Sequence, residues 1–141
     1  MLRKLLILLI SALFMLSACS APAAQDKVSD AVTEFGIGNL DRCNKICNEI
    51  LADSATLDAL SVGQLCTLSQ LFVRLNGDIE ANDAQATLCL SRATRLAPDS
   101  VEEFIKSQSA EVSERLITLR RVDSYMAIHR DSLIINDIPE E

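Results

Sequence analysis

Two hydrophobic patterns divide this chain. The run Leu5-Leu6-Ile7-Leu8-Leu9-Ile10-Ser11-Ala12-Leu13-Phe14-Met15 is almost continuously apolar, whereas from Gln25 onward apolar and polar positions recur at helical spacing. Val28, Ala31, Val32 and Phe35 predict a first helix, broken by Gly36 and Gly38. Asn39 is a favourable N-cap for a second, with the stripe Leu40, Cys43, Ile46, Cys47, Ile50 and Leu51, ended by Asp53-Ser54-Ala55. Ser61-Val62-Gly63-Gln64 has the form of a capping box, and Val62, Leu65, Leu68, Leu71, Phe72 and Leu75 carry a third helix to Asn76-Gly77. Asn82-Asp83 opens a fourth, with Ala86, Cys89, Leu90, Ala93 and Leu96 on its buried side before Pro98. Ser100-Val101-Glu102-Glu103 reads as another capping box, starting a helix through Phe104 and Ile105. Val112, Leu116, Leu119, Val122, Tyr125 and Met126 fit a last amphipathic helix. From Asp131 the charge is one-sided around Leu133-Ile134-Ile135, which predicts a mostly irregular acidic tail over 131–141. The expected fold is all-α, built from antiparallel helix hairpins.

Composition refines this only slightly. The 49% hydrophobic content and mean hydropathy of +0.22 are inflated by the apolar run near the start, and the remainder is an ordinary soluble composition. Thirteen basic and 20 acidic residues give a formal charge of −7. Such an acidic body argues against nucleic acid as a partner, because that affinity comes mainly from Lys and Arg neutralising phosphates. Four Gly, three Pro and no Trp exclude collagenous and low-complexity classes. At 141 residues there is room for one modest domain.

The first residues carry the sharpest signal. Met1-Leu2-Arg3-Lys4 supplies a positive start, the apolar run is too short for a comfortable membrane span of about 20 residues, and Leu16-Ser17-Ala18-Cys19 follows. This four-residue motif resembles the lipobox of bacterial lipoproteins. The resemblance implies removal of residues 1–18 as a signal peptide, with Cys19 carrying a covalent diacylglycerol and an N-acyl chain. No other cofactor is expected. Residues 19–25 then read as an uncharged lipidated tether. In the sorting rule known for some lipoproteins, Asp after the lipidated Cys favours the inner membrane. Ser20 therefore points to lipid anchoring in the outer membrane, facing the periplasm.

Leu65-x2-Leu68-Ser69-x2-Phe72, then Ala86-x3-Leu90-x2-Ala93-x4-Pro98, has spacings similar to the two helices of a tetratricopeptide repeat. Ser69 stands where that family has Gly, and Asn76 to Asp83 is longer than its usual turn. A weaker copy fits Gly38-Asn39-Leu40, then Cys43-x3-Cys47-x2-Ile50. The resemblance implies a short stacked array within a helical domain over 26–130, its later helices acting as caps, and a concave face for a protein or peptide partner. Cys66, Gln70 and Arg74 are its candidate groove residues.

Four further cysteines, Cys43, Cys47, Cys66 and Cys89, all fall in or beside apolar stripes. They read either as buried free thiols or as one or two disulfides of an exported domain. Cys43 and Cys47 share one helix face, a poor geometry for a mutual bridge. A metal site is not expected, since Cys43-x3-Cys47 lacks a second pair.

Catalytic look-alikes fail on context. His129-Arg130-Asp131-Ser132-Leu133-Ile134-Ile135-Asn136 resembles the catalytic loop of protein kinases, but a phosphate loop, strand lysine and Asp-Phe-Gly are missing. Gly36-Ile37-Gly38 begins like a dinucleotide fingerprint, yet Asp41 takes the third glycine's place. No catalytic residue is assigned. The functional expectation is a non-catalytic, envelope-anchored adaptor or accessory subunit; the alternatives are a thiol-disulfide redox protein and a structural filler subunit of an envelope complex.

Overall fold

The structure, a computed structural model, describes the backbone of residues 20–135 apart from Asn76, and side chains within 24–127 apart from Gln25 and Asn76. The signal segment 1–18, the lipidation position Cys19 and residues 136–141 of the acidic tail lie outside the described residues. The described chain is all-α: α1 (Ser20–Gly36), α2 (Leu40–Ala52), α3 (Ser54–Asp58), α4 (Val62–Arg74), α5 (Ile79–Leu96), α6 (Pro98–Ser107) and α7 (Ala110–Ile135). Where the sequence predicts one domain over 26–130, the contacts divide the chain into two compact units that meet in sequence at Leu60 and Ser61.

In the first unit α1 packs on α2, and Ala24, Val28, Ala31, Cys43, Cys47 and Ile50 are buried. The connection is a Schellman turn: Asn39 N–H donates to the Glu34 carbonyl (2.9 Å), Gly38 N–H donates to that of Phe35 (3.0 Å), and Gly38 has φ +81°. Asn39 is therefore not a side-chain cap of α2. Its Nδ2 instead donates to Glu34 Oε2 (2.8 Å), while Arg42 Nε holds the other oxygen of the same carboxylate (3.2 Å). Asp53 ends α2 and caps the single-turn α3 through the Ala55 N–H (3.2 Å). The expected tether over 19–25 is helical from Ser20. Its alanines are strong helix formers, and Pro22 falls in the first turn, where a missing N–H costs nothing.

In the second unit α4 packs on α5, and α6 and α7 pack on both. The Ser61 capping box is complete: Gln64 N–H donates to Ser61 Oγ (3.2 Å) and Ser61 N–H to Gln64 Oε1 (2.8 Å). Leu65, Leu68, Phe72, Leu90, Val101, Ile105 and Leu116 form the core, and Phe72, Leu68 and Leu116 are fully buried.

Three boundaries differ from expectation. Helix α5 starts at Ile79 because Asp78 accepts from the Ala81 N–H (3.0 Å), so the turn is short, and Asn82 is a buried interior residue rather than a cap. Helix α6 starts at Pro98, whose fixed φ suits a first turn, rather than at Ser100. The backbone of α7 stays helical to Ile135, since neither Gly nor Pro interrupts Asp131-Ser132-Leu133-Ile134-Ile135.

Gly38→Ala will lower stability by about 1 kcal/mol, because an L side chain is strained at its positive φ although the space is open. Gly36→Ala, in helical backbone with equally open space, will leave stability unchanged or raise it by about 0.5–1 kcal/mol. Urea unfolding followed by helical circular dichroism checks both. In the second unit Phe72→Ala will cost about 3–5 kcal/mol in the same assay.

Candidate functional site

The second unit carries a groove between α5 and α7. One wall is Thr87, Leu90, Ser91, Thr94 and Arg95, following the i, i+3, i+4, i+7 and i+8 positions of α5; the other is Arg120, Asp123, Ser124 and Ala127 of α7. Its volume is about 440 Å³, within the range of ligand clefts.

The groove exists because α7 changes the character of its inner face. At roughly 100° per residue, Arg120, Asp123, Ser124 and Ala127 continue the side that carries the fully buried Leu116. Val122, Tyr125 and Met126, expected in the buried stripe, turn to the opposite side and are 54%, 61% and 55% exposed. Past Leu119, then, α7 shows α5 a polar face that leaves space open instead of interdigitating.

Arg115 anchors α7 beside this groove. Its Nη2 and Nε both reach Asp83 Oδ1 of α5 (2.6 and 3.1 Å), and its Nη1 donates to the Val73 carbonyl in the last turn of α4 (3.1 Å). Asn82 donates from Nδ2 to the Leu75 carbonyl (3.4 Å). Carbonyls at the end of α4, which have no partner within the helix, are thus completed by side chains of α5 and α7.

Within the groove, the hydroxyls of Thr87, Thr94 and Ser124 donate to carbonyls of their own helices, those of Asp83, Leu90 and Arg120 (2.7–2.9 Å). Their oxygens remain acceptors. The guanidinium groups of Arg95 and Arg120 have no hydrogen bond or ion pair to a described residue. Arg95 lies in the last turn of α5, where the helix dipole stabilises a cation without a carboxylate.

The sequence-predicted groove residues are not brought together as an open face. Cys66 is 3% exposed, Gln70 donates to the Gln108 carboxamide at the end of α6 (2.5 Å), and Arg74 is exposed in the last turn of α4. Apart from Leu90, the α5–α7 groove lies outside the apolar stripes that mark the core. The available signal was a polar series at helical spacing on each of two helices.

Cys43, Cys47, Cys66 and Cys89 are buried, and no disulfide joins them. Burial pushes Cys43 and Cys66 above the ordinary thiol range; at Cys43 a hydrogen bond with Cys47 offsets part of that rise. Burial pushes Cys89 furthest, up to about 12, against a small opposing effect of Arg92. Thiolates are the reactive form, so this environment works against redox exchange at neutral pH. Among the described residues no group of three His, Cys, Asp or Glu side chains could hold a metal ion, and no helix is long and apolar enough to cross a membrane. The backbone at His129-Arg130-Asp131 is helix, unlike a kinase catalytic loop; these side chains lie outside the described set.

No family model, curated protein or solved structure matches the chain.

Stability will fall as pH rises above about 9. There the unfolded chain ionises Cys89 while the folded chain keeps its proton until about 12. The contribution present below 9 is lost across that window, with a slope of up to about 1.4 kcal/mol per pH unit from this thiol. Urea midpoints measured from pH 8 to 11 for the wild type and Cys89→Ala check this; the variant should show the shallower decline.

Proposed function

We propose that this chain is a lipid-anchored, non-catalytic interaction module of a bacterial cell envelope, an adaptor or accessory subunit held at the membrane through acylated Cys19. The anchor rests on Leu16-Ser17-Ala18-Cys19 following a positive start and a short apolar run. With Ser20 next, the outer membrane facing the periplasm is the proposed address.

The interaction role rests on the α5–α7 groove. It presents two arginines that form no ion pair among the described residues, while three lining hydroxyls donate to their own helices rather than to a base that would activate a nucleophile. A tetratricopeptide-like reading of the α4–α5 pair draws support from Ser69, Ala86 and Ala93. These small residues have no exposed surface and stand where that repeat needs close helix approach. Tethering to a membrane raises the local concentration of such a module near partners in the same membrane. The redox alternative is disfavoured by the raised thiol pKa values.

Metabolic palmitate labelling with membrane fractionation tests the anchor. The wild type should be labelled and sediment with membranes, and Cys19→Ser should lose both properties; equal labelling of the two would defeat the reading. Crosslinking on intact membranes tests the module, which should yield a discrete adduct with another envelope protein.

A further inference from the structure

We propose that the groove between α5 and α7 receives a carboxylate-rich peptide segment of a partner protein, with Arg95 and Arg120 taking its carboxylates and Asp123 taking a peptide N–H. This deepens the interaction-module reading and rests on it.

The charge pattern motivates the choice of ligand. Acids outnumber bases in this chain, 20 to 13. Arg42 pairs with Glu34, Lys106 with Glu102 and Arg115 with Asp83. Arg95 and Arg120 line one groove from facing helices without such a pairing among the described residues. Arg120 does sense Glu102 on α6, but that carboxylate is bonded first to Lys106 at 2.8 Å. Guanidinium groups fit carboxylates in a bidentate geometry, which makes two that line one groove, with no ion pair among the described residues, a receptor for acidic side chains.

The rest of the lining asks for donors rather than more anions. Asp123 and the oxygens of Thr87, Thr94 and Ser124 are acceptors, and Leu90 and Ala127 add apolar surface. Inorganic phosphate would satisfy the arginines and be repelled by Asp123. An extended peptide supplies carboxylates, backbone N–H groups and aliphatic stems together. The span from Thr87 to Arg95 rises about 12 Å along α5, the length of roughly three to four extended residues.

Fluorescence anisotropy with the full chain in detergent tests the proposal. The probes are short fluorescein-labelled peptides carrying two glutamates, their glutamine counterparts, and inorganic phosphate as competitor. Saturable binding of the glutamate peptides is expected, weakening about tenfold in Arg95→Glu and in Arg120→Glu. Arg120→Gln serves as the milder variant, with circular dichroism to verify the fold. Arg121→Glu makes the same charge change at an exposed residue outside the groove and should stay within about twofold of wild type. Equal binding of the glutamine peptides, equal weakening by Arg121→Glu, or competition by phosphate as strong as by unlabelled glutamate peptide would each overturn it. A membrane crosslink that persists in the Arg95→Glu/Arg120→Glu double variant would also overturn this site while leaving the adaptor reading intact. Equal palmitate labelling of the wild type and Cys19→Ser would instead strike the anchor alone.

Discussion

The second unit is organised around the end of α4. A helix leaves its last carbonyls without internal partners, and here those carbonyls belong to residues that are themselves buried: Val73 is 6% and Leu75 3% exposed. Water is a poor partner in that setting, and an unsatisfied buried carbonyl costs about 1–3 kcal/mol. The solution comes from other helices, with Arg115 of α7 on Val73 and Asn82 of α5 on Leu75. Asp83 then neutralises Arg115 and fixes its guanidinium between α4 and α5. One arginine thereby satisfies a carbonyl, pairs a carboxylate and sets where α7 lies.

That placement shapes the candidate site. Leu116, next to Arg115 in sequence, is fully buried, so α7 is packed against its neighbours at this point. One turn further its inner face becomes Arg120, Asp123, Ser124 and Ala127, which line open space beside α5. Burying a second charged arginine there without a partner would be expensive; leaving the groove open to solvent keeps Arg120 hydrated and available. The cationic character of the groove therefore follows from the position of Arg115 and the residues chosen after Leu119.

Much of the fold was legible because it is written in local rules. The Ser61 capping box appears in the structure with both of its hydrogen bonds, and the predicted stripes of α2, α4 and α5 supply about half of the buried residues. The structure departs from those rules where a residue has two local uses and tertiary context chooses between them. Asn39 can cap a helix, but as the residue after Gly38 in a Schellman turn it is engaged by Glu34. Asn82 can also cap, yet burial directs its amide to the Leu75 carbonyl. Val122, Tyr125 and Met126 extend a plausible apolar stripe, but the face set by Leu116 carries them outward. The groove itself was illegible for the same reason: Arg95 and Arg120 are 25 residues apart, and only the packing of α7 on α5 brings them to one site.

The dependence of α7 on Arg115 is best tested by a double-mutant cycle with Arg115→Met and Asp83→Asn, read by urea unfolding. If Arg115 joins α4, α5 and α7 as described, Arg115→Met will cost about 1–3 kcal/mol through the abandoned Val73 carbonyl, and the two substitutions will couple by about 1 kcal/mol. A neutral Arg115→Met with strictly additive effects would contradict the account.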